Sequence, residues 1–221
     1  MTRRFEVVTF DCYGTLIDWE EGIASAFLRE AERDGQALDR SAILAEYHRV
    51  EPEVEAARYR PYREVLTATA MAVAARLGWD VTEERARFLP RSLPDWPPFP
   101  DTNPALVDLA SAGYRLGILS NVDDDLLGET RRHFPVRFDV LVTAQQVRSY
   151  KPGHRHFLEA RDRIGEDVWL HAAQSWFHDV VPANELAIPV AWINRKSEPR
   201  PEHVAPDAEL RNLTELADWL G

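Results

Sequence analysis

Residues 5–16 have the sequence FEVVTFDCYGTL. Nearly all of the first six residues are β-branched or aromatic, and these residue types favour a β-strand. Asp11 ends the apolar run, and Gly14 follows in a segment typical of a turn. We therefore predict a strand that ends at Asp11, with polar side chains just beyond its carboxyl end.

Four later segments are apolar runs with the length of strands that are buried on both faces. They cover residues 115–119, 139–143, 169–173 and 189–193. Helical patterns alternate with these strands at residues 103–112, 124–133, 154–164 and 181–186. Because strands that alternate with helices form parallel sheets with right-handed crossovers, we predict an α/β fold.

Residues 17–96 form an insertion between the first two predicted strands, where one crossover helix would need far fewer residues. Asp18 and Glu21 have the spacing of a capped helix start. Two further helices are predicted, the first of them broken or kinked near Pro52, over residues 41–57 and 61–78. The insertion is therefore predicted to be an α-helical subdomain.

A proline-rich stretch from Pro90 to Pro104 marks the return to the sheet. We predict a sheet domain of residues 1–16 and 97–221 and a helical subdomain of residues 17–96. Trp96 lies in the proline-rich stretch. It indicates either the interface of a homodimer or a hinge that packs on itself.

The composition excludes several classes of partner. The 221 residues include 26 basic and 37 acidic side chains, which give a formal net charge of -11. This balance opposes nonspecific nucleic-acid binding, which depends on neutralising phosphates. No apolar run reaches the roughly 18 residues of a membrane span. The single cysteine, Cys12, excludes an internal disulfide and is typical of the cytoplasm, so we predict a cytoplasmic protein with no nucleic-acid or membrane partner.

Polar side chains follow several of the predicted strands. In open parallel sheets, ligands bind beyond the carboxyl ends of the strands. A lone Asp at a strand end is more often a turn former, and a lone Lys before Pro is more often a surface charge. A set of them on successive strand ends predicts a functional site, formed by Asp11, Thr15, Ser120, Asn121, Lys151, Ser175 and Asp179.

Four groups of these residues resemble, in order and spacing, the motifs of the haloacid dehalogenase superfamily. They are DCYGTL at residues 11–16, LSN at residues 119–121, YKP at residues 150–152, and Asp179. The resemblance covers nearly the whole chain, because WINR at residues 192–195 is similar to the fifth strand of the dehalogenase branch. It implies a Rossmann-like parallel sheet core with an α-helical cap inserted after the first motif.

The chemistry of an aspartate nucleophile assigns roles to these side chains. Asp11 would form a covalent ester that water then cleaves, and the Lys151 ammonium would keep Asp11 ionised. Thr15, Ser120 and the backbone donors around Asn121 could hold substrate oxygens. Asp179 could orient Lys151 or the hydrolytic water, and Ser175 could orient either.

Tyr13 favours one branch of the superfamily. In its phosphatases, the residue two positions after the nucleophile is a second aspartate that protonates the leaving alkoxide. Tyr13, with an ordinary pKa of about 10, is a weaker acid for that task. A halide leaves without a proton, so Tyr13 favours displacement at a carbon–halogen bond. The first motif correspondingly resembles that of the L-2-haloacid dehalogenases.

The fourth motif offers one carboxylate, Asp179, where phosphatases of the superfamily commonly place two acids for Mg²⁺. Its neighbour is His178, and Asn184 comes next. A histidine in this place is more often a packing or surface residue than a pH-sensitive site residue. We predict that no metal or other cofactor is required. Under a phosphatase alternative, Mg²⁺ would bind Asp11, Asp179 and the backbone carbonyl of Tyr13. Residues 123–125 are further acids, but an acidic run at a helix start is more often a cap.

A small anionic substrate needs a cationic partner. Residues 58–63, RYRPYR, place Arg60 between two other arginines, and a guanidinium binds a carboxylate through two hydrogen bonds. A solvated helix start is an equally weighted interpretation. His48 and Arg49 are weaker candidates. An apolar wall could come from Tyr13, Trp19 and Trp176, although each also fits an ordinary core.

Three hypotheses follow. In the first, Asp11 displaces halide from a small 2-halocarboxylate, and ester hydrolysis gives a 2-hydroxy acid. In the second, the protein is a Mg²⁺-dependent phosphatase of a small phosphometabolite. In the third, it is a catalytically idle binding protein, which would have no reason to keep Asp11, Lys151 and Asp179 together.

Overall fold

The computed structural model describes residues 3–55, 59–201 and 204–221. Its strands are β1 Val7–Phe10, β2 Arg115–Ser120, β3 Val140–Thr143, β4 Trp169–Ala173, β5 Val190–Ile193 and β6 Ala208–Leu210. Its α-helices are α1 Trp19–Glu32, α2 Arg40–Glu55, α3 Tyr62–Arg76, α4 Glu83–Ala86, α5 Phe88–Ser92, α6 Thr102–Ser111, α7 Asp124–Thr130, α8 Ala144–Val147, α9 Arg155–Ile164, α10 Val181–Glu185 and α11 Leu213–Leu220. Short 3-10 helices cover Leu93–Asp95 and Arg131–His133, and a π-helical turn covers Trp176–Val180.

All six strands form one parallel sheet in the order β3-β2-β1-β4-β5-β6. Phe10, the last residue of β1, lies opposite Ile118 of β2 and Ala172 of β4. The residues that follow these three strands therefore meet at one edge of the sheet. The prediction of a Rossmann-like α/β core is confirmed, with this strand order and with apolar strands buried on both faces.

The structure differs from the prediction at one strand and at the start of one helix. Strand β6 was not predicted, because it is only three residues long, is partly exposed and contains Glu209 instead of an apolar run. The helix predicted to start at Val181 is preceded by the π-helical turn, so the helical conformation begins directly after Ser175. The other predicted strands agree with the observed ones to within two residues at each end.

The chain forms two compact units. The first, called the sheet unit, contains the chain up to Ile17, Pro98–Asn121 and the chain from Arg132 onward. The second, called the helical unit, contains Asp18–Pro97 and Val122–Arg131. Residues 122–131, which include α7, thus group with the helices, whereas the sequence placed them with the sheet.

A buried carboxylate explains this grouping. Asp123 is 2% exposed and accepts hydrogen bonds from the backbone N–H groups of Tyr62 (2.9 Å) and Arg63 (3.1 Å). These are the first residues of α3, whose N–H groups have no partner within the helix. Asp123 therefore caps α3 rather than its own helix, a contact between residues 61 positions apart.

The helical unit contains the three predicted helices. Asp18 caps α1 by accepting a hydrogen bond from Glu21 N (3.1 Å), as predicted. Helix α2 continues through Pro52 to Glu55 and is not broken there. Trp96 is buried inside this unit, where its ring lies against Gly22 and its Nε1 donates to Ser92 Oγ (3.0 Å). Trp96 is therefore a core residue and offers no dimer surface. Arg58 lies outside the described residues.

A transmembrane helix is not found in the described part of the chain, where no helix has both the length and the apolar character that a bilayer requires.

Candidate active site

Lys151 occupies the centre of a buried cluster in the sheet unit. Its side chain is 1% exposed, and its Nζ donates to Asp11 Oδ1 (2.9 Å), Asp179 Oδ1 (2.6 Å) and the carbonyl of Leu119 (2.9 Å). An ammonium has three donors, and all three are used. One nitrogen atom therefore links four parts of the sheet unit, which are the ends of β1 and β2, the loop after α8 and the π-helical turn.

The loop after β1 fixes the second oxygen of Asp11. Thr15 donates its hydroxyl to Asp11 Oδ2 (2.9 Å), and the backbone N–H of Gln174 donates to that same hydroxyl oxygen (2.9 Å). Gly14 has φ 105, a backbone conformation that disfavours side chains, and it turns Thr15 back toward Asp11. Both carboxylate oxygens of Asp11 thus have a donor, and each retains a lone pair for a substrate.

The two carboxylates have opposite pKa shifts. Burial raises the pKa of Asp11 and the charge of Asp179 adds to this, while Lys151 and Thr15 only partly offset them. Burial also acts to raise the pKa of Asp179, but the charge of Lys151 and the hydrogen bond from His171 outweigh it and hold that pKa well below its usual range. Burial acts to lower the pKa of Lys151, but the two carboxylates outweigh it and raise it. The ammonium form of Lys151 is therefore favoured at neutral pH.

Asn121 and Ser120 follow β2 and have different environments. The Asn121 side chain accepts from Lys151 N (2.7 Å) and donates to Lys151 O (3.0 Å), so it holds the backbone of the lysine. Ser120 is fully buried, and its Oγ has no hydrogen-bond partner among the described residues. Ser120 therefore has an unused hydroxyl near the cluster, whereas the Asn121 side chain acts through Lys151.

The π-helical turn carries Asp179 into the cluster. Ser175 caps this turn, with Oγ accepting from His178 N (3.1 Å) and lying 3.1 Å from His178 Nδ1. The carbonyl of Ser175 accepts from the N–H groups of Asp179 and Val180 (both 3.2 Å). Its hydroxyl is engaged with His178, so Ser175 contributes by shaping the turn. Turns of this type are frequent at functional sites.

Two residues in the site were not predicted from the sequence. His171 in β4 lies 2.9 Å from Asp179 Oδ1 through Nε2 and 2.9 Å from Thr9 Oγ1 through Nδ1. Arg195 donates to the carbonyl of Thr15 (2.8 Å) and forms two 3.0 Å bonds with Asp101. The available signal for His171 was a histidine within an otherwise apolar strand.

The remaining predicted residues have other contacts. The backbone of Tyr13 forms a bridge with Ile17, and the ring of Trp176 packs edge to face on Trp192 with centroids 4.8 Å apart. Arg60 lies in the helical unit, where Nη2 donates to the carbonyl of Val54 (3.3 Å). The predicted candidates Arg63, Trp19 and His48 also make contacts within the helical unit. Arg63 binds Asp123 and Asp125, and the Trp19 ring packs against Tyr47 and His48.

A sequence profile of haloacid dehalogenase-like hydrolases matches residues 5–173, most of the chain. The chain belongs to this hydrolase family. It is similar to an (S)-2-haloacid dehalogenase from Pseudomonas putida, with 26% identity over 229 residues that cover 99% of this chain and 97% of that enzyme. The protein is therefore an enzyme of this hydrolase family, and the similarity favours this reading over that of a catalytically idle binding protein.

Two further comparisons concern the fold and the alternative reaction. The structure of an L-2-haloacid dehalogenase from Xanthobacter autotrophicus has a TM-score of 0.84 at 20% identity, covers 98% of each chain and shows the same fold. A glyceraldehyde 3-phosphate phosphatase from Methanothermobacter thermautotrophicus is 32% identical over 115 residues, 48% of this chain and 50% of that enzyme.

Protein donors hydrogen-bond to three of the four carboxylate oxygens of Asp11 and Asp179, the side chains that would bind Mg²⁺ in a phosphatase. The Oδ1 atoms of Asp11 and Asp179 both accept from the Lys151 ammonium, and Asp11 Oδ2 accepts from Thr15. Mg²⁺ requires an octahedron of oxygen ligands, and a buried ammonium bonded to both acids opposes a second cation. In the ranges that the structure describes, no group of three or more His, Cys, Asp or Glu side chains is placed to hold a metal ion.

Proposed function

We propose that this hydrolase is a 2-haloacid dehalogenase with Asp11 as its nucleophile. The observation that carries the proposal is the Asp11 carboxylate, 7% exposed, with one oxygen held by Lys151 and the other by Thr15. Similarity to the dehalogenase from Pseudomonas putida along nearly the whole chain supports it. The substrate class is a small 2-halocarboxylate.

In the first step, an oxygen of Asp11 attacks the carbon that bears the halogen. A carbon–oxygen bond forms, the carbon–halogen bond breaks with its electron pair, and the configuration at that carbon is inverted. The halide leaves without a proton. This reaction therefore does not need a general acid at position 13, where the protein has Tyr13 instead of aspartate. The raised pKa of Asp11 makes its ionised form a better nucleophile, since nucleophilicity rises with basicity.

In the second step, water attacks the carbonyl carbon of the Asp11 ester. Asp179 accepts the proton of this water as the new bond forms, because the attacking oxygen becomes strongly acidic at that moment. The bond between the carbonyl carbon and the ester oxygen, which came from Asp11, then breaks, and the proton on Asp179 passes to this oxygen as it departs in the 2-hydroxy acid. Asp11 is regenerated with one oxygen from water, the second proton of the water is released to solvent as the new carboxyl ionises, and Lys151 stabilises the negative charge throughout.

The proposal includes four less direct points. The reaction requires no cofactor, because Lys151 supplies the positive charge that Mg²⁺ would otherwise bring. Arg60 is proposed as the partner of the substrate carboxylate. Tyr13, Trp176 and the Ser120 hydroxyl are proposed to contact the substrate. A cytoplasmic location and a homodimer remain predictions from the sequence.

A Mg²⁺-dependent phosphatase is the second candidate, because about half of the chain is similar to a glyceraldehyde 3-phosphate phosphatase. Tyr13 is the feature against it, because it stands where the phosphatases of the superfamily have the aspartate that protonates the leaving alkoxide. The test measures halide release from each enantiomer of 2-chloropropionate and phosphate release from a panel of small phosphate esters. Both assays are run with EDTA and then with Mg²⁺.

We expect halide release that persists in EDTA and that is lost in Asp11→Asn, without phosphate release. Phosphate release that requires Mg²⁺, with no halide release from either enantiomer of 2-chloropropionate, would overturn the dehalogenase proposal in favour of the phosphatase.

A further inference from the structure

His171 is a buried imidazole whose orientation is defined on three sides. It is 0% exposed, and Thr9 Oγ1 lies 2.9 Å from Nδ1 and Asp179 Oδ1 lies 2.9 Å from Nε2. The ring of Phe157 packs against it edge to face, with centroids 5.3 Å apart. A polar ring in the middle of a buried strand needs hydrogen-bond partners, and here one of them is a candidate catalytic carboxylate.

The contact has a defined direction. The pKa of Asp179 lies below its usual range, so its carboxylate is ionised and only accepts hydrogen bonds. His171 Nε2 therefore carries the hydrogen and donates it to Oδ1. The same oxygen accepts from Lys151 Nζ at 2.6 Å. Oδ2 has no partner among the described residues.

Two donors on one oxygen thus select the other oxygen for chemistry. We propose that His171 is a positioning residue for ester hydrolysis, which holds Asp179 so that Oδ2 receives the proton of the attacking water. This inference rests on the proposed dehalogenase mechanism. Water oxygen bonds to the carbonyl carbon of the Asp11 ester, its proton moves to Oδ2, and the same proton leaves with the 2-hydroxy acid.

The two steps of the reaction separate this role from a structural one. Halide displacement requires no proton, so the first step does not use Asp179 Oδ2. A variant that only loosened the sheet would impair both steps, because β1 and β4 are neighbours. Loss of the positioning contact should slow hydrolysis alone and cause the Asp11 ester to accumulate.

Three substitutions of His171 separate the effects of its two hydrogen bonds. The amide nitrogen of His171→Gln can take the place of Nε2, and that of His171→Asn can take the place of Nδ1. His171→Leu retains neither. With 2-chloropropionate in rapid-quench experiments, halide release reports the first step, and intact-protein mass reports the ester.

For His171→Leu and His171→Asn, we expect the halide burst to remain and ester hydrolysis to slow by about 100-fold, the effect of misplacing a reacting group by roughly 1 Å. His171→Gln should restore hydrolysis to within about tenfold of the wild type. Thr9→Val removes the Nδ1 contact and the 3.5 Å hydrogen bond from Thr9 to the carbonyl of Leu170 but leaves the contact between His171 and Asp179. It should slow the same step less and serves as a second test should His171→Leu not fold. Equal slowing in the Gln and Asn variants, or no accumulation of ester in any of them, would overturn the inference.

His156 provides a matched control. It is also a fully buried imidazole, and burial lowers its pKa to about 3, so it is neutral. Its Nε2 lies 3.2 Å from the carbonyl of Ser120, so its hydrogen bond goes to the backbone rather than to a carboxylate. His156→Leu should leave the ratio of ester formation to ester hydrolysis unchanged. A wild-type enzyme that releases no halide would contradict the proposed function itself. A wild-type enzyme that turns over, with His171 variants that hydrolyse the ester at the same rate, would contradict the positioning role alone.

Discussion

The segments that follow β1 and β4 each supply an aspartate to the same lysine. The two carboxylates nevertheless have different second donors and opposite pKa shifts. At the end of β1, Asp11 has a hydroxyl and the ammonium as donors, and its pKa is raised. At the end of β4, Asp179 has an imidazole and the same ammonium, and its pKa is lowered. Both carboxylates are buried, so the opposite directions of their pKa shifts come from the groups around each carboxylate rather than from burial.

In the proposed mechanism, this contrast lets two identical side chains perform distinct steps. The more basic Asp11 is the better nucleophile, while Asp179 stays ionised and keeps Lys151 charged. Once Asp11 is esterified, its negative charge is gone, and Asp179 is the remaining anion beside Lys151. The site therefore retains a charged acceptor for the water when the second step begins.

The largest expected effect is that of Asp11→Asn. The substitution removes the nucleophile and retains the size of the side chain, so we expect halide release to fall by about 10⁴-fold or more. Steady-state halide release measures the loss, and circular dichroism checks the fold. Activity within about tenfold of the wild type would mean that the two carboxylates do not have the distinct roles described.

Lys151→Met tests the ammonium that the two acids share. It leaves two buried carboxylates without a cation, and breaking a buried pair in this way costs about 3–5 kcal/mol of unfolding free energy. Urea unfolding at pH 7 measures the change. Arg91→Ala, at an Arg91–Glu84 pair with side chains 67% and 64% exposed, is the control and should have far less effect.

The same variant gives a pH dependence with a defined sign. In the wild type, the pKa of Asp179 is lowered by folding, so its stabilisation is present above the unfolded pKa and is lost as the pH falls. In Lys151→Met, burial raises the pKa of both carboxyls, so they destabilise at neutral pH and cease to do so when protonated. We expect the stability difference to shrink as the pH is lowered through about 4, the unfolded pKa. A difference that grows at low pH would contradict this explanation.

Asp179→Asn separates the two carboxylates kinetically. We expect one halide per enzyme to be released in a burst, followed by ester hydrolysis that is slower by about 10²- to 10⁴-fold, the usual contribution of a general base. Rapid quench and intact-protein mass follow the two steps. Loss of the burst together with hydrolysis would show that Asp179 is needed for halide displacement by Asp11, rather than only for accepting the proton of the water.

The smallest expected effect concerns Thr15, whose hydrogen bond lowers the pKa of Asp11. Thr15→Val should raise that pKa further, so the acid limb of the pH profile of kcat/KM moves to higher pH. The wild-type limb itself should lie above the ordinary pKa of an aspartate, because the free nucleophile must be ionised. Profiles of the two enzymes with 2-chloropropionate make the comparison, and an acid limb that moves to lower pH would contradict it.

Residues at strand ends could be predicted from the sequence because parallel topology brings such ends to one edge. Asp11, Lys151 and Asp179 accordingly meet as expected. Contacts that depend on distant partners could not be predicted. Asp123 reaches the start of α3 across 61 positions, and a histidine inside a buried strand gives no indication of which carboxylate it contacts.

The most direct test of Asp11 as the nucleophile is a single turnover of 2-chloropropionate in ¹⁸O-labelled water, followed by mass spectrometry of the product and of the Asp11 peptide. Attack by Asp11 on the substrate and by water on the ester carbon places ¹⁸O in the Asp11 carboxylate and unlabelled oxygen in the 2-hydroxy acid, and this is the result we expect. Label in the 2-hydroxy acid with none in Asp11 would mean that water attacks the substrate directly, and it would contradict the central role of Asp11.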